Sequence, residues 1–307
     1  MPETAQQAIR HCGFIAFLGA PNVGKSTLLN RLVGTKVSIV TSKVQTTRRR
    51  VLGITVKGDA QLIFVDTPGI FRPRPGRRLE LAMVRAAWHG AEDADQRILV
   101  IDARRGLDAD TALVLEGLRE RRDRAILAIN KLDLVDPPSV LPLIRRFDDT
   151  GLFDRIFIVS ALRGDGCEDL LAAIADGLPE GPWLFPEDQL SDLSQRAMAA
   201  ELTREQLFHQ LRQELPYSLT VETESWVASE DATEVRIDQT IYVQRDSQKA
   251  IVLGKGGQQI KAVGEAARRE LEDMLHQRVH LFLFVKVRPK WLEDPERYQE
   301  LGLDFPA

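Results

Sequence analysis

The run Gly19-Ala20-Pro21-Asn22-Val23-Gly24-Lys25-Ser26 limits this chain more than any other feature. Apolar Phe14-Ile15-Ala16-Phe17-Leu18 precedes it, and Thr27-Leu28-Leu29-Asn30-Arg31-Leu32 follows at helical spacing. A strand, a glycine loop and a helix in that order aim several backbone N–H groups and a helix N-terminus at one point, which makes an anion site before any side chain is counted. Gly19 to Thr27 are therefore expected to cradle phosphates. Lys25 would reach the β- and γ-phosphates as the catalytic cation, and the Ser26 hydroxyl would sit on Mg²⁺.

Two later motifs narrow phosphate binding to guanine-nucleotide binding. Leu62-Ile63-Phe64-Val65 reads as a buried strand ending in Asp66-Thr67-Pro68-Gly69. Asp66 then emerges at a strand's carboxyl end, where it can hold a Mg²⁺ water, and the Gly69 N–H can approach the γ-phosphate. Ala125-Ile126-Leu127-Ala128-Ile129 ends in Asn130-Lys131-Leu132-Asp133. The Asp133 carboxylate suits the N1–H and 2-amino donors of guanine, which adenine does not present together, while Asn130 and Lys131 brace the base and the loop. Arg155-Ile156-Phe157-Ile158-Val159 leads into Ser160-Ala161-Leu162, whose Ala161 N–H is placed to meet guanine O6. Each tetrapeptide alone is an ordinary strand-to-loop turn. In this order, all at strand ends, they match a GTPase signature.

From Gly13 to about Leu178 strands alternate with amphipathic stretches at 79–94, 110–121, 140–147 and 168–177, the pattern of a mostly parallel α/β sheet. Val51–Val56 and Lys57-Gly58-Asp59 form a hairpin into the Leu62 strand and add one antiparallel edge. Glu180 to Asp188, with Pro182 and Pro186, breaks both periods and reads as a linker or surface-clinging segment. The second half changes order: helix 194–215 with Ser194 as N-cap and Pro216 as stop, strands 218–227 and 235–244, helices 247–253 and 258–276, strand 279–287. Gly254-Lys255-Gly256-Gly257 joins the two later helices, and Lys261 follows. Side-chain-free residues between two helix termini let a sugar-phosphate backbone approach main-chain N–H groups. Residues 235–290 carry 11 basic against 6 acidic side chains, although the whole chain has a formal charge of -4. The cationic case for nucleic acid is thus local.

This element order resembles the type II KH module, whose Gly-x-x-Gly loop clamps about four backbone nucleotides. Joined to a loop of the form Gly-x-Pro-Asn-Val-Gly-Lys-Ser and to Gln45-Thr46-Thr47-Arg48-Arg49, it resembles the Era family of ribosome-assembly GTPases. Leu178-Pro179-Glu180-Gly181 and Pro186-Glu187-Asp188-Gln189 are similar to that family's linker. The resemblance implies a Ras-like P-loop GTPase domain at 11–180, a linker at 181–193, an α+β KH domain at 194–290 and a tail at 291–307. It also implies binding of GTP and GDP, binding to the 3′ region of 16S ribosomal RNA, and a role in maturing the small ribosomal subunit. Residues 45–49 would form the first switch, with Thr46 or Thr47 closing on Mg²⁺ and Thr47 assigned that role. Residues 66–69 would form the second.

Ile70 stands where many GTPases place a water-orienting glutamine, and an alkyl chain can neither donate nor accept a hydrogen bond, so slow basal hydrolysis is expected. Asn22 brings an extra oxygen to the loop; it either ligates a monovalent cation such as K⁺ or stabilises the turn. The 307 residues hold no apolar run near the length of a membrane span and no basic-apolar leader at the N-terminus, which gives a cytoplasmic expectation. Peripheral attachment at the inner membrane face and a monomeric state complete what the resemblance suggests. Cys12 and Cys167 are too few for a disulfide framework, and the five histidines show no ligand spacing. The competing readings are a GTPase of transfer-RNA modification and a non-enzymatic RNA-binding scaffold with structural nucleotide.

Overall fold

The computed structural model describes residues 9–41, 43, 46–47, 50–211, 215–289, 295, 298 and 302–305. The chain divides into two compact units. One comprises Met1–Ser38, Thr47–Asp192 and Leu301–Ala307; the other comprises Ile39–Thr46 and Leu193–Glu300.

The first unit runs β1 (His11–Leu18), α1 (Lys25–Val33), β2 (Val51–Lys57), β3 (Ala60–Asp66), α2 (Arg78–Glu92), β4 (Gln96–Asp102), α3 (Ala109–Arg121), β5 (Ala125–Asn130), α4 (Leu141–Asp148), β6 (Phe153–Ile158) and α5 (Cys167–Asp176). Its six-stranded sheet has the order β2-β3-β1-β4-β5-β6. Only β2 is antiparallel, paired with β3 from Val51 opposite Asp66 to Lys57 opposite Ala60. Strands buried on both faces read as continuous apolar runs, and β3 is buried along its whole length. Alternate residues serve opposite layers. Ile15 and Phe17 join Leu28 and Leu29 of α1 and Leu170 and Ile174 of α5 in one apolar cluster. Ala16 and Leu18 join Val114 and Leu118 of α3 and Phe147 of α4 in the other. The strand β4 is the one element of this sheet that the sequence reading did not single out, although Ile98-Leu99-Val100-Ile101 is as apolar as its neighbours.

The crossing from β1 to neighbours β3 and β4 makes a topological switch point, so the loops at these carboxyl ends open into a common crevice. The segment after α5 is held down rather than free. Gln61, fully buried on β3, accepts from the Leu184 N–H (2.8 Å) and the Phe185 N–H (3.0 Å) and donates to the Phe185 carbonyl (2.8 Å). Further along, the Ile54 N–H donates to the Leu190 carbonyl and the Leu52 N–H to Asp192 Oδ1, both at 2.9 Å, which covers the exposed edge of β2.

The second unit runs α6 (Gln195–Gln210), β7 (Thr220–Ala228), β8 (Glu234–Val243), α7 (Asp246–Leu253), α8 (Gln258–Leu275) and β9 (Arg278–Val287). Its sheet has the order β7-β8-β9, with β7 antiparallel and β9 parallel to β8. One face packs on the helices through Leu207, Ile241, Val252, Val263 and Val285 and through Leu202, Ile237, Leu271 and Val279. Ser194 caps α6 as expected, accepting from the Ala197 N–H. The helix ends at Gln210, short of the expected 215, and the chain turns through a 3-10 stretch at Leu215–Ser218, where Pro216 has no N–H to continue a helix. Ile39–Thr46 belongs to this unit through α6. Ile39 is buried in the cluster of Met198 and Leu202, the Val40 N–H donates to Glu205 Oε1 (2.8 Å), and Arg204 Nη2 donates to the Thr46 carbonyl (2.7 Å). Lys43 Nζ donates to the Phe208 and Leu211 carbonyls at the helix C-terminus.

Gln61→Leu leaves two backbone donors and one acceptor of the Leu184–Phe185 stretch without partners, at about 1–3 kcal/mol for each group that stays buried. The expected result is a lower urea midpoint together with faster proteolysis between Gly181 and Asp192. An unchanged digestion pattern would show that the segment is held by other contacts.

Candidate nucleotide site and nucleic-acid interface

The loop between β1 and α1 forms because Gly24 adopts φ 98° and caps α1 without a side chain. A Cβ there would fall 2.3 Å from Asn130 Nδ2, so the approach of Asn130 requires glycine as much as the dihedral does. Asn22 is also left-handed, at φ 64°, a conformation that asparagine tolerates better than most residues. Lys25 is buried and donates to the carbonyls of Gly19 and Ala20, each at 3.1 Å. Burial lowers its ammonium to about 8, against the opposing pull of Asp66. A bound phosphate would restore the charge that burial disfavours.

Asp66, at the end of β3, gathers hydroxyls from three segments. Ser26 Oγ donates to its Oδ2 at 2.7 Å, Ser38 Oγ at 2.8 Å and Thr47 Oγ1 at 3.4 Å, while Ser26 Oγ and Thr47 Oγ1 lie 3.1 Å apart. Desolvation pushes the Asp66 carboxyl up, partly countered by the Ser26 bond and by Lys25. Its Oδ1 is buried with no hydrogen-bond partner among the described residues. An orphaned carboxylate oxygen amid hydroxyls, with no nitrogen or sulfur donor, fits a hard oxygen-seeking cation such as Mg²⁺. Of the two threonines left open by the sequence, Thr47 joins this cluster. Thr46 Oγ1 instead bonds Thr41 Oγ1 (2.6 Å) and the Lys43 carbonyl (2.8 Å). Gln45, Arg48 and Arg49 lie outside the described residues.

The base side is built around Asn130, which is 1 % exposed. Its Nδ2 donates to the Val23 carbonyl (2.9 Å), and its Oδ1 accepts from the N–H groups of Lys131 (2.7 Å) and Ala161 (3.0 Å). The Ala161 N–H expected at guanine O6 is thus given to Asn130 in this structure. Lys131 Nζ bridges the Asn22 carbonyl (2.6 Å) and Asp102 Oδ2 (2.7 Å). Asp133 is half-buried and its Oδ1 accepts from buried Ser160 Oγ at 2.6 Å. Leu162 is exposed. In the segment expected to form the second switch, Thr67 Oγ1 donates to the Phe17 carbonyl (2.6 Å), and Gly69 lies so close to the loop that a Cβ would fall 2.8 Å from Pro21 N. Ile70 is fully buried and its N–H donates to the Gly19 carbonyl (3.0 Å), so its side chain belongs to the core.

Several supporting residues carry no motif. Ser38 reaches Asp66 because Asn30 of α1 shapes the loop, accepting from the Val37 and Ser38 N–H groups and donating to the Ser38 carbonyl. Arg105 donates to the Pro21 carbonyl (2.9 Å), and Arg31 of α1 donates to the carbonyls of Ala161 and Leu162. Asp102 could have been found from the apolar run of β4, since it ends that strand level with Asn130.

In the second unit Gly254, Gly256 and Gly257 have φ of 71°, 60° and 79°, which lets α7 pass into α8 within four residues. A Cβ on Gly254 would meet Gln259 Cβ at 2.6 Å. Lys255 and Lys261 are both exposed at this turn and at the start of α8. Main-chain N–H groups at a helix N-terminus beside two cations suit a phosphate backbone.

Residues 14–131 match the model of a family described as 50S ribosome-binding GTPase, and residues 214–292 match that of the KH domain. The GTPase Era of Brucella suis biovar 1 (strain 1330) is 56% identical over 295 residues, covering 96% of this chain and 94% of that protein. That of Rhizobium meliloti (strain 1021) is 56% identical over 305 residues, covering 99% and 96%. Among solved structures, Era in complex with MgGDPNP and nucleotides 1506-1542 of 16S ribosomal RNA superposes with a TM-score of 0.89 at 40% identity, over 95% of this chain and 99% of that one. A single-residue variant of Aquifex aeolicus Era bound to GDP.AlF4- gives a TM-score of 0.89 at 39% identity, with the same coverage. A Ras-like unit with one antiparallel edge, a KH unit and relatives matched along their whole length lead to one conclusion: this chain belongs to the Era family of GTPases.

Proposed function

We propose that this chain is a GTP-hydrolysing switch that binds the 3′ region of 16S ribosomal RNA and assists maturation of the small ribosomal subunit. The observation that carries the nucleotide half is the meeting of Ser26, Thr47 and orphaned Asp66 beside a loop braced by Asn130. The RNA half rests on the cationic glycine turn at 254–257 and on a close relative whose structure contains a 16S fragment.

In this reading Ser26, Thr47 and Asp66 hold Mg²⁺, which when bound neutralises phosphate charge. The N–H groups of residues 19–27, Pro21 excepted, and of Gly69 orient the phosphates, and Lys25 turns from the Gly19 and Ala20 carbonyls to stabilise charge on the transferring group. Asp133 and Asn130 select guanine, with Lys131, Ser160, Ala161 and Leu162 shaping the pocket. Lys255, Lys261 and the N–H groups of the glycine turn hold the RNA backbone. With Ile70 in the core, no side chain at that position orients water, so turnover is slow unless a partner or a cation assists. The protein acts as a cytoplasmic monomer. No helix among the described residues is long and apolar enough to cross a membrane, so membrane association in this reading is peripheral.

Asp133→Asn is expected to lower GTP affinity by about two orders of magnitude and to favour xanthosine triphosphate, whose 2-oxo group needs a donor. Isothermal titration with both nucleotides tests this, and an unchanged guanine preference would discredit the pocket. With K⁺ beside Asn22, multiple turnover runs faster in KCl than in NaCl at equal ionic strength; equal rates would reduce Asn22 to a turn residue. Measurable turnover in either salt also rules out a scaffold with structural nucleotide. RNA affinity for the 16S 3′ end should differ between GDP and a non-hydrolysable GTP analogue, because binding free energies at coupled sites are reciprocal. State-independent, sequence-blind binding would remove the assembly switch.

A further inference from the structure

The face of the β7-β8-β9 sheet turned away from the helices carries two exposed phenylalanines. On β9 the inward residues Val279 and Val285 are buried, whereas Phe282 is 44% and Phe284 51% exposed. They stand at i and i+2 on one face of an edge strand, so their rings are spaced about 6.7 Å along it. A core residue would not be left in water on that scale, and a lone exposed phenylalanine would need no account. Two adjacent rings on an open strand do.

The surrounding charges say what kind of surface this is. From 278 to 288 the chain holds Arg278, Lys286 and Arg288 and no acidic residue. The acids of this face lie on β8, where cations already engage them, and on β7, across β8 from the rings, where Glu222 stands opposite Thr240 and Glu224 accepts from the Tyr242 hydroxyl. Glu234 takes Arg278 (3.5 Å) and His280 (2.9 Å), and Asp238 takes Arg236 (3.1 Å). The Arg236 guanidinium also lies 4.6 Å from the centre of the Phe282 ring, so a cation and a π face are already presented together. A second copy pairing edge to edge through β9 would bring the same cations against these, which argues against self-association at that edge. At the β9 edge, where residues 278–288 hold no acid and Lys286 and Arg288 follow the rings, the fitting occupant is anionic and offers flat faces to the rings.

We infer that this sheet face is a second RNA-contacting surface, on which Phe282 and Phe284 stack bases of a single strand while Lys286 and Arg288 hold its phosphates. Sheets that present aromatic side chains in this way stack two or three unpaired bases, and such stacking is largely indifferent to sequence. The glycine turn clamps about four nucleotides, so an additional face on the same unit lengthens the stretch of RNA that the protein holds. The inference rests on the RNA-binding reading above and extends it to a different face.

The test uses the full-length protein with a non-hydrolysable GTP analogue and fluorescence anisotropy on two labelled RNAs from the 3′ end of small-subunit ribosomal RNA, one of four nucleotides and one of twelve. The double variant Phe282→Leu/Phe284→Leu keeps an apolar surface but has no ring. Phe282→Tyr/Phe284→Tyr keeps both rings. The leucine pair should weaken the twelve-nucleotide RNA about tenfold or more while leaving the four-nucleotide RNA unchanged, and the tyrosine pair should bind like the parent. Equal binding of the longer RNA by all three proteins would overturn this surface and leave the glycine turn standing. An equal loss for both RNAs would show the rings acting through the fold, which also overturns it. A parent protein that binds neither RNA would overturn the RNA reading as a whole.

Discussion

One buried amide organises the nucleotide unit. Asn130 gives its N–H to the phosphate loop at Val23 and takes N–H groups from its own loop at Lys131 and from the third loop at Ala161. Three loops that follow three different strands, β1, β5 and β6, are thereby held at one place. Each bond is modest by itself, but the geometry is shared, and removing the side chain would orphan groups in all three loops at once. Lys131 repeats the device at the rim by joining Asn22 to Asp102, and Arg31 ties α1 to the Ala161 loop. The loops proposed to take phosphate and base are therefore one construction, whose parts are fixed by the carboxyl ends of β1, β3, β4, β5 and β6.

That construction explains what the sequence could reveal. Parallel strands buried on both faces are uninterrupted apolar runs, and their carboxyl ends are where polar signatures must emerge, so Asp66, Asn130 and Asp133 could be placed from order alone. In the second half, alternating strands, helix caps and the glycine turn gave the element order to within a few residues, except where α6 stops before Pro216. The unforeseen residues are single polar side chains with no periodic signature. Ser38, Asn30, Arg31 and Arg105 acquire their roles from contacts distant in sequence, which pattern reading does not encode. The choice between Thr46 and Thr47 is of the same kind: neighbours of identical chemistry whose side chains reach different partners.

Charge follows a similar logic of place over total. The chain is acidic overall, yet residues 235–290 are basic, and within them the strand β9 brings its cations to one face beside two rings. Net charge bears on solubility and nonspecific attraction, whereas recognition depends on where the excess lies. The left-handed glycines at 254, 256 and 257 act at a shorter range, by removing side chains from a point where backbone must meet backbone.

The membership of Ile39–Thr46 in the second unit bears on how this protein can be taken apart. Ile39 is buried among residues of the carboxyl-terminal half, and the Thr46 carbonyl and the Val40 N–H are hydrogen-bonded to side chains of the same helix, α6. Cutting the chain at the visible seam near residue 193 would strip that segment of its apolar cover and of its hydrogen-bond partners. The excised amino-terminal piece would then carry Ile39 and Val40 without their cover directly upstream of Thr47, one of the groups around Asp66. Domain dissection, the usual way of isolating a nucleotide-binding module, would therefore alter the very site it set out to preserve.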